Sequence, residues 1–273
     1  MHKYSFLYFL AATFFFACQQ PNTTSNPSVE DSSHAVEEQV PPDMPLNLEM
    51  ALEAHGGLDR WQSYKTLKYD LEVQRGEDAK TEHSVIDLQH RYERILYPTY
   101  EIGYDGSEYW YHADSIPEDH PDPKFYVNLQ FYFFALPFVL GDPGINYEDL
   151  GQRNFQGKAY NVVKITYQSG VGTASDDQYF LYLDPDSHML KLLLYSVTYF
   201  NAENATKYNA AVYEEWQEVN GLMVPAKMTS HKWDAEKEEI GDVRYIKTFS
   251  GVSFSPETSP KEVFAKPEKL TAS

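Results

Sequence analysis

Apolar and polar residues alternate over most of the chain after residue 65. In residues 65–75, Leu67, Tyr69, Leu71 and Val73 alternate with charged residues, and this period of two predicts a strand with one buried face. The same pattern recurs along the chain between turn residues. The further predicted strands are residues 82–90, 92–97, 100–104, 108–113, 160–168, 178–183, 188–200, 211–219, 222–233 and 242–254.

Short turn sequences join these strands. Asp105-Gly106 and Asn220-Gly221 are typical of two-residue hairpins, and residues 184–187 form an Asp-Pro turn. Residues 190–199 are apolar on both faces, which predicts a central strand covered on both sides. About ten strands joined by hairpins predict a mainly β fold with one curved antiparallel sheet, whose concave face the helices must cover.

Two segments predict helices. Residues 46–55 place their apolar residues on one face, and Gly56-Gly57 ends this helix. Residues 125–140 form the most apolar stretch after the N-terminal segment, and Pro137 bends its end. This stretch is short for a membrane span, which takes about 20 apolar residues. A helix that is apolar on nearly all sides must be covered on nearly all sides.

The N-terminal residues indicate export. Residues 1–17 combine a basic start with an apolar run of signal-peptide length. Residues 18–45 are polar and rich in Ser, Thr, Asn, Pro and Glu, and this composition predicts a disordered tether because it cannot bury enough apolar surface. No comparable linker follows, so we expect one domain over residues 46–270.

The segment Phe15-Phe16-Ala17-Cys18 resembles the lipobox of bacterial lipoproteins. The resemblance implies cleavage before Cys18, a diacylglycerol on its sulfur, and membrane attachment through the acyl chains. Cys18 is the only cysteine, so the chain cannot form an intramolecular disulfide. The alternative is an ordinary signal peptide with a chance cysteine near the cut. Gln19-Gln20 follows in place of an aspartate, which by analogy with lipoprotein sorting rules favours the outer membrane, facing the periplasm.

The net charge of the chain disfavours some classes of binding partner. There are 22 Lys and Arg residues against 41 Asp and Glu residues, a net charge of −19. Nucleic acid is a poor partner for such a surface, because its phosphates attract basic patches. Electrostatic adhesion to anionic lipid head groups is disfavoured for the same reason. The lipid on Cys18 is therefore the expected membrane attachment.

Two strand–turn–strand segments, residues 180–187 and 216–225, resemble the LolA/LolB-like lipoprotein-sorting superfamily. Residues 55–57, 136–138 and 157–183 resemble a family of envelope lipoproteins of unknown function within or near that group. The resemblance implies an unclosed β-barrel whose helices plug a hydrophobic concavity. It also implies that this concavity accepts acyl chains or lipidated partners.

Motifs of catalysis are missing from the sequence. It contains no Gly-x-Ser-x-Gly elbow, no P-loop, no Gly-x-Gly-x-x-Gly and no His-Glu-x-x-His. We therefore expect no catalytic residue, no cofactor and no metal. One acidic segment has side chains of metal-ligand chemistry, but prolines interrupt it, and a solvated loop explains it better. Its residues are His112, Asp114, Glu118, Asp119, His120 and Asp122.

The leading hypothesis is a non-enzymatic envelope lipoprotein that binds a lipid or an acyl chain. The expected ligand contacts are Phe131, Phe134, Leu136 and Phe138 of the apolar segment. One alternative is a structural or interaction lipoprotein whose aromatic core fills the concavity. A less favoured alternative is an envelope hydrolase that uses carboxylates and histidines, for which several histidines must converge. The candidates are His83, His112, His120, His188 and His231.

Overall fold

The computed structural model describes residues 43–115, 120–168 and 176–268. The predicted signal peptide, Cys18 and nearly all of the predicted tether lie outside these residues. The described residues contain twelve strands: β1 Thr66–Arg75, β2 Asp78–Asp87, β3 Glu93–Leu96, β4 Tyr100–Tyr104, β5 Tyr109–Ala113, β6 Ile145–Phe155, β7 Lys158–Tyr167, β8 Tyr179–Leu183, β9 Leu190–Tyr195, β10 Asn209–Val219, β11 Leu222–Asp234 and β12 Glu239–Ser255.

Short helices accompany the strands. The α-helices are α1 Leu46–Ala54, α2 Leu58–Ser63, α3 Pro123–Tyr126 and α4 Leu129–Phe134. Single 3-10 turns occupy Phe138–Gly141, Ala202–Thr206 and Lys261–Val263. No helix in the described part of the chain has both the length and the hydrophobicity needed to cross a membrane.

The strands form one antiparallel sheet in the order β5-β4-β3-β2-β1-β12-β11-β10-β9-β8-β7-β6. Every neighbouring pair is consecutive in the chain except β1 and β12, which join the two halves of the sheet. The edges are therefore β5 and β6, and the sheet is not closed. The predicted mainly β fold with a single unclosed antiparallel sheet is confirmed.

The chain crosses from one edge of the sheet to the other between β5 and β6. We call residues 120–144 the crossing segment; it contains α3, α4 and the 3-10 turn at Phe138–Gly141. It packs with α1 and α2 on the concave face, where aromatic rings stack in pairs. Trp61 of α2 stacks on Phe138 with centroids 4.7 Å apart, and Tyr69 of β1 stacks on Phe134 at 5.0 Å.

A second, smaller apolar cluster covers the opposite face of β7 to β10. Its members include Val162 of β7, Leu192 and Leu194 of β9, and Val212 of β10. Leu193 of β9 belongs to the main core instead. Strand β9 is thus buried on both faces, as its sequence predicted, but it ends at Tyr195 and does not continue to residue 200.

The prediction of one helix over residues 125–140 is wrong. The segment divides into α3, α4 and a 3-10 turn, because Val127 is extended (φ −61°, ψ 133°) and Asn128 adopts a left-handed conformation (φ 65°). Proline at position 137 disfavours helical geometry at the residue before it. The prediction of about ten strands also missed β6, an edge strand whose residues are mostly exposed.

Candidate functional site

A cavity of about 320 Å³ lies between the crossing segment and strands β7 to β9. Its floor is built from directly paired residues of β8 and β9. Tyr179 faces Tyr195 in the register, and Leu181 faces Leu193. Since residues two apart on a strand point to the same side, all four side chains project towards the crossing segment. Tyr167 of β7 extends this floor and meets Tyr179 edge to face.

Apolar side chains of the crossing segment form the roof. They come from α3, α4, the 3-10 turn and the residues that link them. The apolar lining contributed by this segment and the first residue of β6 consists of Phe125, Val127, Leu129, Phe133, Leu136, Val139, Leu140, Pro143 and Ile145. The composition matches that of ligand pockets, which are mostly apolar with few polar groups.

Tyrosine hydroxyls supply most of the polar chemistry of the cavity. The lining tyrosines are Tyr104, Tyr109, Tyr132, Tyr167, Tyr179, Tyr195 and Tyr199. Burial raises the pKa of Tyr195 to about 12 and raises the pKa of Tyr179 well above its usual value. These hydroxyls therefore stay protonated at physiological pH and can donate hydrogen bonds to a ligand.

The charged groups at the cavity already have partners within the protein. Arg91 Nη2 lies 2.6 Å from Asp142 Oδ2, and the Arg91 guanidinium stands over the Phe131 ring at 5.1 Å. The buried Asp177 carboxylate accepts the backbone N–H and the hydroxyl proton of Thr198, at 2.7 and 2.8 Å. Burial raises the pKa of Asp177. These pairings leave an apolar surface with hydroxyl donors, which suits an uncharged ligand.

Hydrogen bonds fix the start of α4. The backbone N–H of Asn128 donates to Glu93 Oε2, and Asn128 Nδ2 donates to the carbonyl oxygen of Arg91 at 3.1 Å. These two contacts hold Asn128 in its left-handed conformation. The Glu93 carboxyl is fully buried, and burial raises its pKa to about 8, so it is largely protonated at pH 7.

Two further hydrogen bonds tie the crossing segment to the sheet. The hydroxyl of Tyr213 on β10 donates to the carbonyl of Phe133 at 2.7 Å. The hydroxyl of Tyr147 on β6 donates to the carbonyl of Leu140 at 2.5 Å. The cover over the cavity is thus attached to the sheet at Asn128, Phe133 and Leu140.

A buried lysine of the sheet contacts the roof, and the buried Glu82 interacts with this lysine electrostatically. The Lys247 ammonium of β12 lies 4.3 Å from the centroid of Phe133, and burial lowers the pKa of Lys247 to about 8. The hydroxyl of Tyr97 donates to Glu82 Oε2 at 2.7 Å, and burial raises the pKa of Glu82. The sequence did not predict a role for Glu82, Glu93 or Lys247. The sequence signal was that each of these residues lies on the same side of its strand as an apolar residue two or four positions away.

The four predicted ligand contacts are in two different places. Leu136 lines the cavity. Phe131, Phe134 and Phe138 are fully buried and lie in the core instead, where they pack against the aromatic rings of Trp61 and Tyr69. The cavity residues contributed by β7, β8 and β9 were missing from the prediction.

The histidines on the sheet have local partners of different kinds. His83 Nδ1 is 2.6 Å from Asp70 Oδ1, and His231 Nδ1 is 2.8 Å from the carbonyl oxygen of Gly241. Within residues 43–115, 120–168 and 176–268, no group of three or more His, Cys, Asp or Glu side chains could hold a metal ion. Two residues of the acidic segment, at positions 118 and 119, lie outside the described part.

Known proteins with a similar sequence or structure indicate the fold family. A family of unknown function, DUF6503, matches residues 123–232. The structure is similar to that of a LolA superfamily protein from Nitrosomonas europaea, with a TM-score of 0.52 and 10% identity over 81% of this chain and 99% of that chain. The chain therefore has a LolA-like fold, as the sequence resemblance predicted.

A second similar structure belongs to a DUF1329 family protein from Desulfovibrio piger. Its TM-score is 0.47, with 11% identity over 76% of this chain and 91% of that chain. No curated protein sequence matches the chain.

Proposed function

We propose that this protein is a cell-envelope lipoprotein that binds a hydrophobic ligand in the cavity under the crossing segment, without catalysing a reaction. The observation that carries the proposal is the cavity itself. Directly paired tyrosines and leucines of β8 and β9 form its floor, and apolar side chains form its roof.

The size and chemistry of the cavity favour one acyl chain. A volume of about 320 Å³ lies at the lower end of the range for small-molecule pockets, about 300–1,000 Å³. One chain suits this volume better than a lipid with several chains. The cationic group of Arg91 is already paired with Asp142. The tyrosine hydroxyls can donate hydrogen bonds to an ester or amide carbonyl.

The location rests on the N-terminal sequence. Residues 1–17 act as the signal, Cys18 carries the lipid, and residues 18–45 tether the domain to the outer membrane on its periplasmic side. Two or more acyl chains give stable anchoring, whereas one holds only marginally. The LolA-like fold is compatible with this place in the envelope.

Binding can be tested on a protein of residues 38–273, since Glu38–Ser273 form a compact unit by themselves. Native mass spectrometry identifies a co-purified lipid, and titration with a fluorescent acyl probe measures affinity. Leu136→Trp places a large side chain at the cavity wall and should weaken binding about tenfold or more. Val243→Trp, at an exposed position of β12, is the control and should bind as the parent does. Absence of any co-purified or titratable lipid contradicts the proposal.

The alternative function, a structural lipoprotein with a filled core, has one observation in its favour. Phe131, Phe134 and Phe138 already occupy much of the concave face. If this alternative holds, Leu136→Trp changes stability only, and the parent protein binds no acyl probe. The same two measurements therefore separate the two functions.

A further inference from the structure

Four aromatic rings from two distant segments form one cluster at the edge of the cavity. Phe125 and Tyr126 belong to α3, whereas Tyr199 and Phe200 follow β9. The ring centroid of Phe125 lies 4.6 Å from that of Phe200 and 5.1 Å from that of Tyr199. We call these four residues the aromatic rim.

Two residues of the aromatic rim are exposed to solvent, and Phe125 and Tyr199 are half-buried. Phe200 is 68% exposed and Tyr126 is 38% exposed. Both exposed rings contact Phe125, and clustered exposed aromatic rings are typical of an interaction site, because the fold gains nothing by leaving such rings in water. Phe125 and Tyr199 also line the cavity, so the exposed rings and the cavity share one continuous surface.

Polar contacts hold the rim in place. The Tyr199 hydroxyl donates to Asp122 Oδ2 at 2.8 Å. The other oxygen of Asp122 accepts the backbone N–H of Lys124 at 3.0 Å and so caps α3. On the second segment, Asp177 fixes Thr198, the residue just before Tyr199. The rings are therefore presented by braced backbone, although Phe200 itself projects into solvent.

The chemistry of the rim fits a lipid surface with zwitterionic head groups. Phenylalanine and tyrosine favour the boundary between acyl chains and head groups, where an apolar ring and a polar tip are both satisfied. Aromatic faces attract the ammonium groups of choline and ethanolamine. Beside the rim, Asp122 and the exposed Lys124 offset each other, and the net charge of −19 disfavours an anionic surface.

We propose that the aromatic rim docks on the interface of a zwitterionic phospholipid bilayer, with Phe200 inserted furthest. Docking there places the cavity edge formed by Phe125 and Tyr199 against the lipid, so a chain could pass between bilayer and cavity without crossing water. This contact is separate from ligand binding within the cavity and from the lipid on Cys18.

The test uses the protein of residues 38–273 and flotation with vesicles of dioleoylphosphatidylcholine. The double variant Tyr126→Ser/Phe200→Ser should float about tenfold less than the parent, because two interfacial rings are removed. The double variant Leu46→Ser/Val243→Ser removes apolar residues that are 66% and 52% exposed elsewhere, and it should float as the parent does. Leu136→Trp should also float, since it changes only the cavity.

A single-residue probe reports the same contact. The chain has four native tryptophans, so the signal of Phe200→Trp is taken as its difference from the parent protein. This difference should shift to the blue on addition of the same vesicles, and brominated lipid should quench it. The proposal is overturned if the parent does not float, if the rim variant floats equally well, or if vesicles of dioleoylphosphatidylglycerol bind more tightly than phosphatidylcholine. It is also overturned if sedimentation shows that the rim joins two copies of the chain instead. Circular dichroism confirms that the compared variants are folded.

Discussion

Replacing Glu93 with glutamine tests how a buried carboxyl controls stability beneath the cavity cover. Burial is the main cause of its raised pKa, the nearby Glu82 raises it further, and the Asn128 N–H opposes both. The folded protein therefore binds a proton at Glu93 that the unfolded chain releases at lower pH. Glutamine keeps an oxygen acceptor for the Asn128 N–H and carries no charge.

The sign and size of the effect follow from linkage. The pKa of Glu93 rises from 4.5 to about 8 on folding, so its contribution to stability is full below pH 4.5 and is lost as the pH rises to 8. Each pKa unit corresponds to about 1.4 kcal/mol, so the total loss is about 5 kcal/mol. Between pH 6.5 and pH 8 the free energy of unfolding should fall by about 1.5 kcal/mol because of Glu93 alone.

Urea unfolding at pH 6.5 and pH 8 measures this change. In Glu93→Gln, the free energy of unfolding should fall by about 1.5 kcal/mol less between pH 6.5 and pH 8 than in the parent protein. The pH dependence contributed by Glu82 is present in both proteins. Glu77→Gln, in the exposed turn between β1 and β2, is the control and should keep the parental slope. An identical pH dependence in the parent and in Glu93→Gln would refute the reasoning that burial keeps this carboxyl protonated.

Three further changes test other parts of the structure. Burial lowers the pKa of His55 from 6.5 to about 4, so stability should fall by about 3 kcal/mol as the pH drops through that range, and urea unfolding of His55→Gln should show a smaller fall. Gly103→Ala places a Cβ 2.4 Å from Trp110 Cζ2 and should destabilise the protein by about 1–3 kcal/mol in thermal unfolding. Gly241→Ala is the control, because the atom nearest to its new Cβ is 3.7 Å away, and its stability should match that of the parent. Cys18→Ala should remove most of the protein from the membrane fraction, and any remainder should be lost when Tyr126→Ser/Phe200→Ser is added, since the aromatic rim is the other proposed membrane contact.

Local sequence patterns predicted the strands whose two faces differ. In β1, Leu67, Tyr69 and Leu71 are buried and Lys68 and Glu72 are exposed. The alternation therefore indicates which face of the strand is buried. The Asn220-Gly221 hairpin was equally predictable. Both residues have positive φ angles (54° and 79°), and asparagine and glycine tolerate this conformation.

Two elements lacked such a signal. Strand β6 lies at the sheet edge and is mostly exposed, so apolar and polar residues alternate only over its first four positions, 145–148. Residues 125–140 are almost uniformly apolar, and uniform hydrophobicity does not indicate where a helix must break. The break occurs at Asn128, which is held by Glu93, 35 residues away in sequence. A long-range contact of this kind is invisible to a local pattern.

The candidate site was predictable only in part for the same reason. The apolar segment indicated that something covers the sheet, and Leu136 is one of the residues that line the cavity. The floor arises because Leu181 and Leu193 are paired across two strands. Nothing in the local sequence distinguishes these leucines from others on the same strands. The buried Glu93 and Lys247 needed the fold before their surroundings were known.

The order of the strands explains why this fold has a covered cavity at all. Because β1 pairs with β12, the edge strands β5 and β6 are consecutive in the chain although they lie at opposite ends of the sheet. The crossing segment therefore joins the two ends of the sheet over its concave face, and Tyr109 of β5 and Ile145 of β6 line the same cavity. Along this connection the chain folds into short helices. These helices cover the concave face, and the break at Asn128 prevents one continuous helix from packing along the sheet. We infer that the cavity forms where the divided cover meets β7 to β9.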